Sequence, residues 1–175
     1  MAEIQTMTEA LASQDIRLRP ITPSDLPFLC RVYISTRMEE LSVTDWSTAQ
    51  KEAFLTSQFE AQHAYYQQHY TKTAFWVILH HDQPIGRLYL AHWASELRIV
   101  DVALLPEFRN RGIGTFILEA ILQEGERLGL PVRIHIEMFN PALRLYKRLG
   151  FQQIEDKGVY YFLEKQPYVG HAAER

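Results

Sequence analysis

The 175-residue chain has one cysteine, no excess of basic residues and no long apolar run. Cys30 has no partner for an internal disulfide, which is typical of proteins from a reducing compartment. The formal net charge of −3 gives no electrostatic basis for nucleic-acid binding, because proteins that bind nucleic acid usually present a basic face. No apolar stretch approaches the roughly 20 residues of a membrane-spanning helix. We therefore expect a cytoplasmic protein without nucleic-acid or membrane partners.

Targeting and metal-binding patterns are also missing. Residues 1–10 lack the basic start and apolar core of a signal peptide. The histidines form no His-x-x-x-His pair and no HExxH motif, and paired cysteines are absent, so we expect no metal site. A hydrophobic share of 47% is ordinary for one globular domain. We place that domain at residues 15–165, between a flexible N-terminus (1–14) and a tail (166–175).

The chain is organised around residues 97–115. An apolar strand, predicted over 97–105, ends at Pro106, and the sequence Arg-Gly-Ile-Gly-Thr at 111–115 then begins a helix. Glycines at such a turn let the backbone approach a ligand closely, and the free amides of a first helical turn attract anions. Arg109 and Arg111 add positive charge at the same place. The pattern predicts a phosphate-binding turn.

Hydrophobic periodicity predicts an α/β fold with a mixed sheet of about seven strands and four helices on both faces. The predicted strands are 16–21, 74–79, 85–92, 97–105, 131–138, 151–155 and 159–163, and the predicted helices are 22–33, 47–70, 113–128 and 140–149. Hairpins dominate the first half of this order, and helical crossovers appear in the second. Gly86, inside a predicted strand, indicates a bulge or a close backbone contact.

Two segments resemble the GNAT superfamily of acyl-CoA-dependent N-acetyltransferases. Residues 109–114, Arg-Asn-Arg-Gly-Ile-Gly, match its Gln/Arg-x-x-Gly-x-Gly/Ala signature. Residues 140–151 match its Asn…Ala…Leu-Tyr…Gly-Phe segment, with Asn140, Tyr146 and Phe151 at the key positions. The order of elements agrees from about residue 16 to 163. Both segments occur in order, separated by one helix and one strand, and the chain therefore resembles a member of this family.

The resemblance implies that acetyl-CoA is the acyl donor. Its pyrophosphate would rest on the glycine turn, and its pantetheine arm would pair with the end of the preceding strand, where an amide near Leu104 would face the thioester carbonyl. Asn140 resembles the asparagine that touches the cofactor, although a helix-capping role is an equal alternative. The implied cofactor-binding residues are Val102, Ala103, Leu104, Arg109, Asn110, Arg111, Gly112, Ile113, Gly114, Thr115 and Asn140.

The resemblance also implies catalytic groups. Tyr146 occupies the general-acid position, where its hydroxyl would protonate the departing thiolate; the alternative is a tyrosine that only packs. A carboxylate must take the proton of the acceptor amine, and we rank Glu137 ahead of Glu96, each with a plain surface role as its alternative. Asp101 has the opposite strand parity from Glu96 and is interpreted as a buried carboxylate paired with an arginine.

The expected function is therefore acetyl transfer to a primary amine, of a small molecule or a peptide, by direct attack in a ternary complex. The alternative is a non-catalytic acyl-CoA-binding or interaction module on the same fold. Tyr65, Tyr66, Tyr160 and Tyr161 are expected near the acceptor, whose identity the sequence does not give. Whether the donor could carry an acyl group longer than acetyl depends on the space near Leu104 and Phe139. Family members commonly dimerise, so a homodimer is compatible with the resemblance.

Overall fold

The computed structural model describes residues 4–168, which form a seven-stranded mixed sheet in the order β1-β2-β3-β4-β5-β7-β6. The strands are β1 (Ile16–Pro20), β2 (Thr73–His80), β3 (Gln83–Trp93), β4 (Glu96–Leu104), β5 (Val132–Glu137), β6 (Gln152–Asp156) and β7 (Tyr160–Lys165). The α-helices are α1 (Gln5–Ala12), α2 (Leu26–Arg37), α3 (Thr48–His69), α4 (Ile113–Leu128) and α5 (Leu143–Arg148). Only the β4–β5 pairing is parallel. The predicted fold class and all seven predicted strands are confirmed.

Two cores cover the two faces of the sheet. Successive residues of a strand point to opposite faces, and Val77 and Ile78 of β2 accordingly belong to different cores. Ile78 packs in the larger core with side chains of α1, α4 and α5. Val77 packs in the smaller core with α2 and α3, through Tyr33 and Phe59. We call the side that α2 and α3 cover the acceptor face.

The expectation of a flexible N-terminus over residues 1–14 is wrong for the part of it that the structure describes. Residues 5–12 form α1, and the side chains of Met7 and Leu11 are fully buried against α4. The Met7 N–H donates to the buried carboxylate of Glu124 at 3.3 Å, which supplies one of the acceptors that a helix start needs. This short helix shows only two apolar residues in register, too few for a periodic signal. Residues 169–175 of the predicted tail lie outside the described range.

No helix within residues 4–168 is both long and apolar enough to cross a membrane. The long polar-aromatic helix was predicted correctly as α3, and Ser47 caps it by accepting from the Gln50 N–H at 3.2 Å. The amphipathic helix α4 ends at Gly129, whose φ of 66° terminates it as predicted.

Candidate active site

An opening between β4 and β5 is the central feature of the site. β4 pairs with β5 only from Leu97 to Ile99, whereas its pairing with β3 continues to Leu104. The Leu105 N–H donates to Ile85 of β3 at 2.8 Å. Antiparallel ladders alternate, so the backbone groups of Val102 and Leu104 point the other way, into the opening. The backbone groups of Val102 and the N–H of Leu104 are therefore free to pair with a ligand, whereas the Leu104 carbonyl accepts from Arg109.

A bulge at Val100 separates the two halves of β4. Across the ladder from β3, Leu90 lies opposite Ile99, and Tyr89 lies opposite Asp101, so Val100 is the extra residue. The bulge reverses the parity of everything after it. Asp101 therefore points to the acceptor face, as Glu96 does, and our parity-based expectation that the two lie on opposite faces is wrong.

The glycine turn adopts the geometry of an anion site. Gly112 caps α4 with φ 81°, and Asn110 before it also has a positive φ of 57°. The first helical hydrogen bond runs from Phe116 N–H to Gly112 O at 3.0 Å. The N–H groups of the intervening residues Ile113, Gly114 and Thr115 have no acceptor within the helix. These amides and the positive end of a 16-residue helix favour a phosphate at this point.

The two arginines of the turn differ. The Arg109 guanidinium turns back, donating to Leu104 O at 2.9 Å and to the Ser35 hydroxyl at 3.1 Å, and burial lowers the pKa of Arg109. It ties the turn to α2. Arg111 is exposed, with its guanidinium 5.7 Å from the Phe108 ring centroid. Arg111 is therefore the arginine placed to meet a phosphate, and Arg109 fits a bracing role better than the phosphate contact expected for it.

Tyr146 of α5 is 3% exposed and packs edge-on against Phe151, with ring centroids 5.2 Å apart. Burial, with a smaller contribution from the charge of Asp101, raises the pKa of the Tyr146 hydroxyl. The hydroxyl therefore keeps its proton in neutral solution, as a proton donor must. The Asn140 side-chain oxygen accepts from the Ala142 N–H at 2.9 Å, which is a capping contact; its cofactor contact stays a prediction.

A cavity of about 410 Å³ opens on the acceptor face. Its walls are Tyr33, Arg37, Glu40, Gln58, Ala61, Gln62 and Tyr160. The Arg37 guanidinium pairs with Glu40 at 3.1 Å and with Glu137, which holds the carboxylate of β5 at the edge of the cavity. Of the tyrosines expected here, Tyr160 lines the cavity. Tyr161 instead packs against the core on the opposite face.

An ion pair that no local motif reveals lies beneath this cavity. Arg87 of β3 is 2% exposed and donates to both carboxylate oxygens of Asp101, at 3.1 and 2.8 Å. It also donates to Gln62 of the cavity wall at 3.2 Å, and the Tyr33 ring covers it. The expected arginine partner of Asp101 is therefore Arg87. Its one signal in the sequence is a charged residue inside an apolar strand.

Glu96 does not have the surroundings of a general base. Its carboxylate is buried, accepting from Arg98 at one oxygen and from Arg133 at the other, each at 2.6 Å. Both oxygens are occupied by guanidinium donors and the side chain is 5% exposed, so the carboxylate presents no open side to a substrate amine. The structure places Glu96 in a structural ion cluster, and we do not retain it as a base.

Known proteins with a similar sequence or fold include members of one enzyme family. The Acetyltransferase (GNAT) family model matches residues 36–151. An N-alpha-acetyltransferase of Sulfurisphaera tokodaii is 32% identical over 66 residues, a match that covers 36% of this chain and 40% of that relative. The shared segment is thus about two fifths of the relative's length.

Two solved structures share the fold at low identity. PaiA N-acetyltransferase from Thermoplasma acidophilum, solved in complex with coenzyme A, has a TM-score of 0.65 at 19% identity, covering 86% of this chain and 98% of that one. The ribosomal-protein-S18-alanine N-acetyltransferase from Escherichia coli has a TM-score of 0.59 at 14% identity, covering 91% and 99%. These two likenesses establish the fold alone. Together with the family match over most of the domain, they show that the chain belongs to the acetyltransferase (GNAT) family.

Proposed function

We propose that this protein transfers an acetyl group from acetyl-CoA to a primary amine by direct attack in a ternary complex. The observation that carries the proposal is the second half of β4, which pairs with β3 but has no strand partner on the β5 side. It begins beside the acceptor cavity, at Asp101, and ends at the turn that leads to the free amides of α4. One continuous stretch of backbone thus connects an anion site to an amine site.

The residues present fit acetyl-CoA. Ile113, Gly114 and Thr115 offer amides for the pyrophosphate, with Arg111 as the nearby cation. The backbone groups of Val102 would pair with the pantetheine arm, and the Leu104 N–H would face the thioester carbonyl, where it would stabilise developing negative charge. Acetyl-CoA supplies an activated acyl group and a thiolate leaving group. Tyr146 would protonate that thiolate as it departs.

The acceptor is the part of the proposal with the widest choice. The cavity walls combine amides, a tyrosine and one arginine held by two glutamates, which suits an amine carried on a polar body. Relatives named as N-alpha-acetyltransferase and ribosomal-protein alanine N-acetyltransferase make a free peptide N-terminus the first class to test. Small alkyl amines and aminoglycosides are the other two.

The test is thiol release from acetyl-CoA with these three classes of amine, with the acetylated product identified by mass. Tyr146→Phe should lower turnover at least tenfold while the Kd for acetyl-CoA holds, because the phenyl ring keeps the packing but has no proton to give. Tyr168→Phe, at an 82% exposed position, is the matched control and should match the wild type. Acetyl-CoA binding with no turnover of any amine would instead favour the non-catalytic module.

A further inference from the structure

We propose that Asp101 is the carboxylate that accepts the proton lost by the acceptor amine, and that Arg87 holds Asp101 in position. Glu137 instead positions Arg37 and the acceptor. The inference deepens the proposed function and rests on it. Asp101 lies directly before Val102, the first residue of the free backbone stretch, and it points to the acceptor face because of the bulge at Val100. No other carboxylate of the described residues lies so close along β4 to the expected thioester.

The surroundings of Asp101 hold the carboxylate in place but leave it accessible. Arg87 donates to both oxygens, which leaves each oxygen with a further lone pair. The Asp101 side chain is 17% exposed, whereas that of Arg87 is 3% exposed. The open side of the carboxylate is therefore turned away from the arginine. Gln62 bonds the same arginine and forms part of the cavity wall, which joins the ion pair to the acceptor cavity.

Asp101 is also the carboxylate whose charge acts on the Tyr146 hydroxyl. Its negative charge contributes to raising the pKa of the Tyr146 hydroxyl, together with the larger effect of burial, and Glu137 has no comparable influence on Tyr146. Tyr146 belongs to the core on the opposite face, and the pairing of β4 with β5 ends at Ile99, just before Asp101. A proton acceptor for the amine and a proton donor for the thiolate must both lie at the thioester, and this pair meets that requirement.

A third group points to the same place. The Tyr89 hydroxyl is buried and has no hydrogen-bond partner among residues 4–168. Tyr89 lies directly across the ladder from Asp101, and the Arg87 guanidinium carbon is 5.1 Å from its ring centroid. A buried hydroxyl without a partner is unfavourable, so a polar group of the substrate beside Asp101 would be favoured. An acceptor nitrogen fits this requirement.

Glu137 has a different environment. Its carboxylate pairs with Arg37, which also pairs with Glu40, and all three lie at the mouth of the cavity rather than beside β4. β5 has left β4 after Ile134, three residues before Glu137. We assign Glu137 to positioning Arg37 and the acceptor.

The proton and bond changes balance as follows. The acceptor ammonium gives one proton to Asp101, and its freed lone pair forms the new C–N bond at the thioester carbon. The C–S bond then breaks. The thiolate takes the Tyr146 proton, and the second proton lost by the nitrogen restores Tyr146. Asp101 releases its proton to solvent, so the products are the amide, the thiol and one free proton.

The ionisable groups around the Asp101–Arg87 pair come from four elements, and one of these groups, His63, complicates any pH test. They are Arg87 and Tyr89 on β3, Tyr66 and His63 on α3, Tyr33 on α2 and Tyr146 on α5. Burial, and then the charge of Arg87, lowers the pKa of His63, and protonation of this imidazole in acid would also change the charge beside Arg87. His63→Phe is therefore measured alongside the aspartate variant.

The experiment measures kcat/KM against pH for Asp101→Asn, Glu137→Gln and His63→Phe, at saturating acetyl-CoA. The acceptors are an alanine-initiated hexapeptide and an N-terminally blocked peptide with one lysine, whose amines have pKa values of about 7.7–8.0 and 10.4. We expect Asp101→Asn to lose about 100-fold at neutral pH. Its rate should then rise with the fraction of free amine, so that the curve moves with the pKa of the acceptor used. Glu137→Gln should raise the KM for the acceptor, and it and His63→Phe should keep the acid limb.

Each outcome decides between proposals. If the wild type acetylates neither peptide nor any amine of the panel, the proposed function fails. If the wild type turns over and Asp101→Asn keeps the wild-type acid limb, only the assignment of Asp101 fails; loss of that limb in Glu137→Gln would transfer the role to Glu137. Because Asp101→Asn leaves Arg87 buried with a neutral partner, the double variant Arg87→Gln, Asp101→Asn is made as well. It removes both charges, should fold and bind acetyl-CoA, and should show the same acceptor-dependent profile.

Discussion

The two halves of β4 have opposite surroundings. In the first half the strand pairs with β3 from Glu96 to Ile99 and with β5 from Leu97 to Ile99, and its acidic residue lies between two arginines. From Asp101 to Leu104 the strand pairs on one side only, and its acidic residue pairs with Arg87, which also bonds Gln62 of the cavity wall. Both carboxylates are held by guanidiniums. The difference is that the first half uses every polar group within the sheet, whereas the second half leaves polar groups available to a ligand.

One inserted residue produces this difference. Val100 turns the strand so that the backbone groups facing β5 belong to odd positions before the bulge and to even positions after it. Beyond that point the separation from β5 leaves those groups unpaired. The same device re-aims Asp101 to the face where α2 and α3 build the acceptor cavity. A bulge therefore converts an ordinary central strand into the edge on which the proposed chemistry depends.

The largest effect is expected from a variant that forces β3 away from the second half of β4. A Cβ added to Gly86 would lie 2.2 Å from the Ala103 carbonyl oxygen, a backbone atom that cannot move aside. We expect Gly86→Ala to lower the free energy of unfolding by about 3 kcal/mol, the upper range for overpacking, and to weaken acetyl-CoA binding at least tenfold. Urea unfolding and calorimetric titration measure the two effects.

The control for this variant is Gln83→Val, an exposed position in the same strand, which should shift stability by less than about 0.5 kcal/mol. Wild-type stability in Gly86→Ala would mean that β3 and β4 do not approach as closely as described.

A second variant tests the first half of the strand. Glu96→Gln removes the charge that Arg98 and Arg133 share, so we expect a loss of about 2 kcal/mol in the free energy of unfolding. The pH dependence of turnover should stay as in the wild type. Glu155→Gln, which removes an exposed partner of Lys157, is the matched control and should cost about 0.5 kcal/mol or less. An acid limb that disappears in Glu96→Gln would make the first half catalytic and erase the distinction.

The sequence predicted those parts of the fold and site that are local. Alternation in β5, the apolar stripe of α4 and the caps at Ser47 and Gly129 each lie within one segment. The glycine turn is local in the same sense, since its amides and its positive φ come from consecutive residues. Pattern and propensity are sufficient where one segment decides its own geometry.

What the sequence did not predict depends on contacts between distant segments. The bulge at Val100 is a single residue in an apolar run, and it shifts the parity on which the placement of Asp101 depended. Arg87 becomes important only because α3 brings Gln62 over it. α1 carries too few apolar residues to stand out, and Glu124 that caps it lies more than a hundred residues away. Tertiary placement decides each of these cases.

The smallest expected effect is on the pH dependence of stability, and it compares one histidine beside each half of β4. His63, on α3, lies near Arg87 of β3, which pairs with Asp101 in the second half of β4, and His135, on β5, lies near Arg98 in the first half. In each case burial, and then the charge of that arginine, lowers the pKa of the imidazole. A histidine that takes up its proton more readily when unfolded reduces stability as the pH falls below about 6.5.

His63 should carry the larger share of this acid sensitivity. Its Nδ1 is buried without a hydrogen-bond partner among the described residues, whereas His135 is exposed at the surface. We expect His63→Phe, which preserves the ring contact with Phe59, to flatten the fall in urea midpoint between pH 7.5 and 5 more than His135→Phe does. Equal curves for the two variants would mean that water reaches His63 as freely as His135. The Arg87–Asp101 pair would then be open to solvent, contrary to the 3% and 17% side-chain exposures of the two residues.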